Sequence, residues 1–139
     1  MKNINTYLIF NGKCRQAMEF YRHCLGGDLH LMTYGESPDA SKLPKELKDW
    51  IIHARLQTKS LVLMASDTQP GVAITQGNNF FISINCEDVK EAEKLFKVLS
   101  EKGKIDMPLQ ETFFAIRFGM LTDQFEIKWM VNLENSKEK

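Results

Sequence analysis

A chain of 139 residues with 43% hydrophobic and 26% charged residues has the size and balance of one compact domain, or of two half-size modules sharing a core. Its 18 basic and 18 acidic residues cancel, and no Lys/Arg stripe marks a nucleic-acid or acidic-membrane partner. The longest apolar runs, such as Leu61 to Ala65, fall far short of the roughly 20 residues that cross a bilayer, and Met1 to Asn5 lacks the apolar core of a secretion signal.

The first predicted element is a short strand from Asn5 to Phe10, closed by the turn Asn11-Gly12. A helix follows, with Cys14, Ala17, Met18, Tyr21, Cys24 and Leu25 on one apolar stripe. Gly26-Gly27 is expected to end it with a left-handed cap. Cys14 and Cys24 lie roughly 15 Å apart along this helix at 1.5 Å per residue, too far for a disulfide, whose Cα atoms lie within about 7 Å. With Cys86 at the end of a later strand, three scattered cysteines point to a reducing, cytoplasmic setting. Strands are predicted at Leu29–Tyr34, Trp50–Thr58 and Leu61–Ser66, with a polar loop carrying Pro38 and Pro44 before the second of these.

The turn-rich stretch from Thr68 to Asn78 is expected to link two modules, about 4–67 and about 79–133. The second repeats the plan of the first: a strand Phe80–Cys86, a helix capped by Asp88 and Glu91, and strands near Ile105–Leu109, Phe113–Phe118 and Phe125–Leu133. The helix buries Val89, Ala92, Leu95, Phe96 and Leu99, and Gly103 is expected to stop it. Shifting by 75 residues lays Ala17 on Ala92 and Tyr21 on Phe96. The order βαβββ occurring twice predicts an α+β fold, with each helix on one face of a sheet and the other face free to curve around a cleft. The tail from Glu134 to Lys139 reads as disordered.

Tyr7-Leu8-Ile9-Phe10-Asn11-Gly12, Ala17-Met18-Glu19-Phe20-Tyr21, Ile52-His53-Ala54, Leu63-Met64-Ala65-Ser66-Asp67 and the run Pro108-Leu109-Gln110-Glu111-Thr112-Phe113 carry a resemblance. The chain resembles the PhnB-like family of the glyoxalase/bleomycin-resistance/dioxygenase (vicinal oxygen chelate) superfamily, from Asn5 to about Asn132. The resemblance implies a single vicinal-oxygen-chelate domain over 1–139, with paired βαβββ modules forming a curved mixed sheet around a small-molecule cleft, in a homodimer. Phe114 stands where the family usually has Trp, Glu126 where it usually has Gly, and Lys128 where it often has Pro.

Superfamily enzymes hold a divalent metal with His and Glu from several cleft strands, where it acts as a Lewis acid on paired substrate oxygens. Carried over by position, this chain offers Asn5 or Thr6, Leu63 or Met64, Phe81 or Ser83, and Met130, counted seven residues from Asp123. Thioether, hydroxyl and aromatic groups do not suit a hard cation, so no metal ligand and no cofactor are assigned.

Strand alternation places His53 with Ile51, Arg55 and Gln57 on one face, opposite Ile52, Ala54 and Leu56. His53 is thus the one candidate for general acid–base chemistry, with a structural, hydrogen-bonded histidine as the competing role. Arg55, Met64, Gln110, Phe114, Phe118 and Met130 complete the expected ligand-binding set, in one cleft with His53. Gln110 competes with a role in satisfying backbone at a strand bend, and the methionines with ordinary core filling. Arg117 could clamp an anion or pair with Glu126. Met120 joins Met64 and Met130 as an adaptable apolar lining.

The expected function is small-molecule binding, without nucleic-acid or membrane partners and without the usual divalent metal. The alternative is a metal-dependent lyase or dioxygenase-type enzyme whose ligands lie one residue from the carried-over positions or are supplied by His53 and Glu126. Methyl transfer to a demethylated ubiquinone, which names in this family invoke, is disfavoured because no Gly-rich loop follows a leading strand to hold a nucleotide-like cofactor.

Overall fold

The computed structural model describes residues 1–69 and 71–135, and the tail residues 136–139 lie outside them. The chain is α+β and runs βαβββ twice, in two compact units, residues 1–75 and residues 76 onward.

The first unit contains β1 (Thr6–Phe10), α1 (Cys14–Leu25), β2 (Asp28–Thr33), β3 (Ile51–Gln57) and β4 (Val62–Asp67). The sheet order is β1-β4-β3-β2, with β1 parallel to β4 and the other neighbours antiparallel. Helix α1 buries Cys14, Ala17, Met18 and Tyr21 against β2, β3 and β4, four of the six positions its periodicity predicts, while Cys24 and Leu25 at its C-terminal end are half-buried. Its N-terminus has no local side-chain cap. Instead the carboxylate of Asp67, 2% exposed at the end of β4, accepts from the N–H of Cys14 at 3.0 Å and of Ile51 at 2.8 Å. One buried charge thus satisfies two otherwise orphaned donors and ties the starts of α1 and β3 to β4.

The C-terminal cap differs from the expected left-handed one. Gly26 takes φ 77 and ψ −167, a region essentially restricted to glycine, and its N–H donates to Arg22 O at 2.8 Å. The polar loop between β2 and β3 condenses into short 3-10 turns at Tyr34–Glu36, Ala40–Lys42 and Lys45–Leu47.

Strand β3 corrects the alternation. Met32 pairs with His53 but Thr33 pairs with Ile51, so Ile52 is an extra residue in a bulge. Ile51 is therefore fully buried with Ala54 and Leu56, not on the side of His53.

The second unit contains β5 (Ile82–Asn85), α2 (Val89–Leu99), β6 (Lys104–Gln110), β7 (Ala115–Thr122) and β8 (Lys128–Glu134), in the order β5-β8-β7-β6 with β5 parallel to β8. Glu134, expected in the disordered tail, ends β8. Asp88 caps α2 by accepting from Glu91 N–H at 2.8 Å, while Glu91 reaches back to Glu87 N–H at 2.9 Å, one residue beyond the expected reciprocal cap. The helix ends at Ser100 rather than at Gly103. Ala92, Phe96 and Leu99 are buried, and α2 packs on β7 and β8. Gly119 of β7 admits that contact: a Cβ there would lie 2.5 Å from the Phe96 ring and 3.0 Å from the Leu109 backbone.

Three strands start two or more residues later than predicted: β5 at Ile82 rather than Phe80, β7 at Ala115 rather than Phe113, and β8 at Lys128 rather than Phe125. Phe113 is 96% exposed because residues 112–115 form a turn, with Thr112 and Ala115 hydrogen-bonded to each other. Residues 123–127 form a second turn around buried Asp123. Asp123 Oδ1 accepts from Phe125 N–H at 2.7 Å and Ile127 N–H at 3.1 Å, and Oδ2 accepts from Trp129 Nε1–H at 2.8 Å. Trp129 is fully buried beneath α2's side of the sheet. Glu126 takes a positive φ of 71 in this turn, which accounts for the glycine usual at this position in the family it resembles.

Candidate functional site

Since each helix covers one sheet face, strand register decides which side chains occupy the other. In the first unit one row runs Tyr7, Met64, Arg55, His30, each register-paired with the next. The neighbouring row on the same face has Ile9 beside Ser66 and His53 beside Met32. Tyr7 and Ile9, each 43% exposed, and Met32, 51% exposed, show that this face is open. His53, Arg55 and Met64 lie on it together. His30 stands here too, beside Arg55.

The sequence reading missed Tyr7, the residue nearest to a partner for His53. Its hydroxyl lies 3.4 Å from His53 Nδ1, with ring centroids 5.9 Å apart. With the hydroxyl donating, Nδ1 accepts and the imidazole proton sits on Nε2, which leaves an N–H for a ligand. Alternation with the buried Phe10 was the available signal for Tyr7. Arg55 is held by Gln57, whose Oε1 accepts from its guanidinium at 3.3 and 3.4 Å. Tyr34 donates to the Asp67 carbonyl at 3.4 Å; burial, then Asp67, then Tyr7 push its phenol above its usual range, so it stays neutral.

In the second unit the open face is a grid of different chemistry. One row has Ser83 beside Met130, Met130 beside Met120, and Met120 beside Met107. The next has Asn85, Asn132, Phe118 and Gln110, paired in that order. Phe114, 40% exposed, stacks edge-on to Phe118 at 5.1 Å, and Phe113 to Phe114 at 5.3 Å. Asn132 donates to Asn85 Oδ1 at 3.1 Å, while its own buried Oδ1 has no partner among the described residues. Gln110 is exposed and its amide makes no hydrogen bond among the described residues, so it does not serve the strand bend. Gln110, Phe114, Phe118 and Met130 thus share one face. Met107 joins them unforeseen, because β6 has two register shifts that hide its direction from simple alternation.

Arg117 is register-paired with the buried Leu133 and donates to the Ile116 carbonyl at 2.7 Å; among the described residues it forms no ion pair with Glu126. Cys14 and Cys86 are buried free thiols, pushed up to about 12 and about 11, mainly by burial. Neither is a nucleophile near neutral pH.

The superfamily's divalent ion can be tested against these donors. At the carried-over positions, Thr6 and Leu63 are paired with each other on the helix side of their sheet, which leaves Tyr7 beside Met64 on the open face. In the second sheet the pair is Ser83 beside Met130. Among the described residues no three His, Cys, Asp or Glu side chains come together, and Glu126 is exposed in a turn. Phenol, hydroxyl and thioether do not make a hard-cation site. The donor set does not fit the ion.

Residues 3–131 match the model of the Glyoxalase/Bleomycin resistance protein/Dioxygenase superfamily. Protein YjdN of Escherichia coli (strain K12) is 34% identical over 140 residues, covering 94% of both chains. The crystal structure of protein PA1353 from Pseudomonas aeruginosa superposes with TM-score 0.87 at 45% identity, covering 96% of this chain and 98% of that one. The PhnB protein from Bacillus cereus, by name also a candidate 3-demethylubiquinone-9 3-methyltransferase, gives 0.78 at 27% identity over 95% and 99%. Among the described residues no helix is long and apolar enough to cross a membrane.

Proposed function

Because the chain belongs to the glyoxalase/bleomycin resistance protein/dioxygenase superfamily, with PhnB-like relatives, we propose that it is a cytoplasmic small-molecule-binding protein that takes its ligand on the helix-free sheet faces, without a hard divalent ion. The observation that carries this reading is the row Met107, Met120 and Met130 flanked by Phe118 and Phe114. Flexible thioethers and flat rings give an adaptable apolar bed. Exposed amides at Asn85 and Gln110 supply a few polar anchors beside it.

A homodimer belongs to the same reading. Phe80 and Phe113, 85% and 96% exposed, are large apolar side chains of the kind that subunit contacts cover. Light scattering is expected to give twice the 16.0 kDa chain mass; a monomer at every concentration removes this part.

A second reading rests on the Tyr7–His53 pair. An imidazole held by a phenol can move a proton, which makes an acid–base enzyme the alternative. Metal-dependent lyase or dioxygenase chemistry lacks support from the donor set, and methyl transfer has no residue here to recommend it.

A thermal-shift screen of small organic molecules, run with and without EDTA, tests the proposal. Ligands that raise the midpoint are expected to do so equally with chelator, and to lose the effect in Met120→Glu. Hits that need added Zn, Ni, Mn or Fe would overturn it in favour of the metalloenzyme.

A further inference from the structure

We infer that Lys128 is an anion anchor, so that the ligand of the second unit's open face is an amphipathic organic anion: an apolar or aromatic body with one carboxylate, sulfonate or phosphonate group. The inference rests on the small-molecule reading above and adds the charge of the ligand to it.

Lys128 opens β8 on the same side as Met130, since the intervening Trp129 is fully buried on the other face. Its Nζ donates to Thr122 Oγ1 at 3.0 Å and lies 5.7 Å from the centre of the Phe81 ring. The Thr122 hydroxyl in turn donates to Asp106 Oδ2 at 2.7 Å, which commits its proton and leaves a lone pair for the ammonium. Asp106 itself pairs with Lys104 at 3.8 Å. Among the described residues no carboxylate lies within 4.0 Å of Lys128. Lys128 is half-buried, and of its ammonium's three protons one is used among the described residues.

The side chain is thus positioned without a direct carboxylate contact among the described residues; Asp106, reached only through the Thr122 hydroxyl, is itself paired with Lys104. Thr122 fixes where the ammonium sits, and the Phe81 ring lines its other side without neutralising it. One step along the strand lies Met130, and beyond it Met120 and Met107. An anion at Lys128 would lay its apolar body on the thioether row and reach the Phe118 ring.

Fluorescence titration of the full chain with two probes tests this. 8-Anilinonaphthalene-1-sulfonate carries the anion, and N-phenyl-1-naphthylamine has the same rings without it. The sulfonate is expected to bind the wild type more tightly than the neutral amine. Lys128→Met and Lys128→Gln should each weaken the sulfonate about 10-fold, the loss of one charge-assisted hydrogen bond. The neutral probe should change by less than about two-fold, and Lys128→Arg should restore most of the preference. Equal loss for both probes, or none for either, overturns the anion anchor while binding on this face stands. If neither probe binds, or if Met120→Glu leaves both titrations unchanged, the small-molecule reading fails and takes this inference with it.

Discussion

The two units build the same scaffold and then diverge on the face the helix leaves open. In each, a helix buries its stripe on a four-stranded sheet; Ala17, Ala92 and Tyr21 are fully buried, and Phe96 is 6% exposed. In each, a buried aspartate collects donors that the backbone cannot satisfy: Asp67 holds the starts of α1 and β3, and Asp123 holds a turn and the Trp129 indole. The open faces share no such pattern. The first carries a phenol–imidazole pair and a guanidinium fixed by Gln57, the second thioethers, aromatic rings, amides and a lysine. Folding requirements act on the helix side and are met twice in the same way. The open side is where the two halves are free to differ, and it is there that the proposed ligand binding is placed.

The aspartates give the sharpest test of that division. Asp123→Ala strands the Trp129 indole N–H and two backbone N–H groups in a buried setting, and is expected to cost about 3 kcal/mol or more. Asp67→Ala strands two backbone donors and is expected to cost somewhat less, about 2–4 kcal/mol. Urea unfolding of both variants checks the order; a loss below about 1 kcal/mol for either would break the parallel between the units.

Alkaline titration probes the helix side of the first unit. The Cys14 thiol ionises near 9 in the unfolded chain and about 12 when folded. Above pH 9 the unfolded state sheds this proton first, so stability should be full below that pH and fall steadily toward pH 12. Cys14→Ala should flatten this limb relative to wild type, measured by unfolding at pH 8 and pH 10.5. An unchanged slope would mean that the buried thiol does not carry the effect.

The Asp123 turn holds a residual cost that can be removed. Glu126→Gly relieves a positive φ of 71 and should stabilise by about 0.5–1 kcal/mol, the left-handed penalty less the glycine entropy. Thermal unfolding that shows Glu126→Gly to be destabilising would place a stabilising role on the Glu side chain. Open-face changes should be the mildest: His53→Ala and Phe118→Ala are each expected to lower stability by less than the helix-side changes, within about 1 kcal/mol, because both residues are partly solvated.

The sequence made the helices plain because six or so apolar positions at a fixed period outweigh any single exception, as in Cys14, Ala17, Met18 and Tyr21. Strand faces were legible only where pairing stays regular. One bulged residue, Ile52, reverses the side of Ile51, and the shifted register of β6 concealed Met107. Asp67 could not be read as a helix cap, since it lies 53 residues from Cys14. Asp123 is only six residues from Trp129, yet its role needed a turn that ordinary strand patterning overran. The Tyr7–His53 pair joins residues 46 apart. Such partners are set by sheet topology, which composition and period do not encode.

On the proposed function, a small organic ligand binds the helix-free face and not the helix-side core. Four of the chain's seven methionines serve this purpose: Met107, Met120 and Met130 lie in one open row of the second unit, while Met18 of α1 is fully buried in the first. With methyl-13C methionine, addition of 8-anilinonaphthalene-1-sulfonate to the chelator-treated protein should shift the methyl resonances of Met107, Met120 and Met130 and leave Met18 in place. If Met18 moves with them, or the three open-row methyls stay still while the probe binds, the ligand site is elsewhere and the account is contradicted.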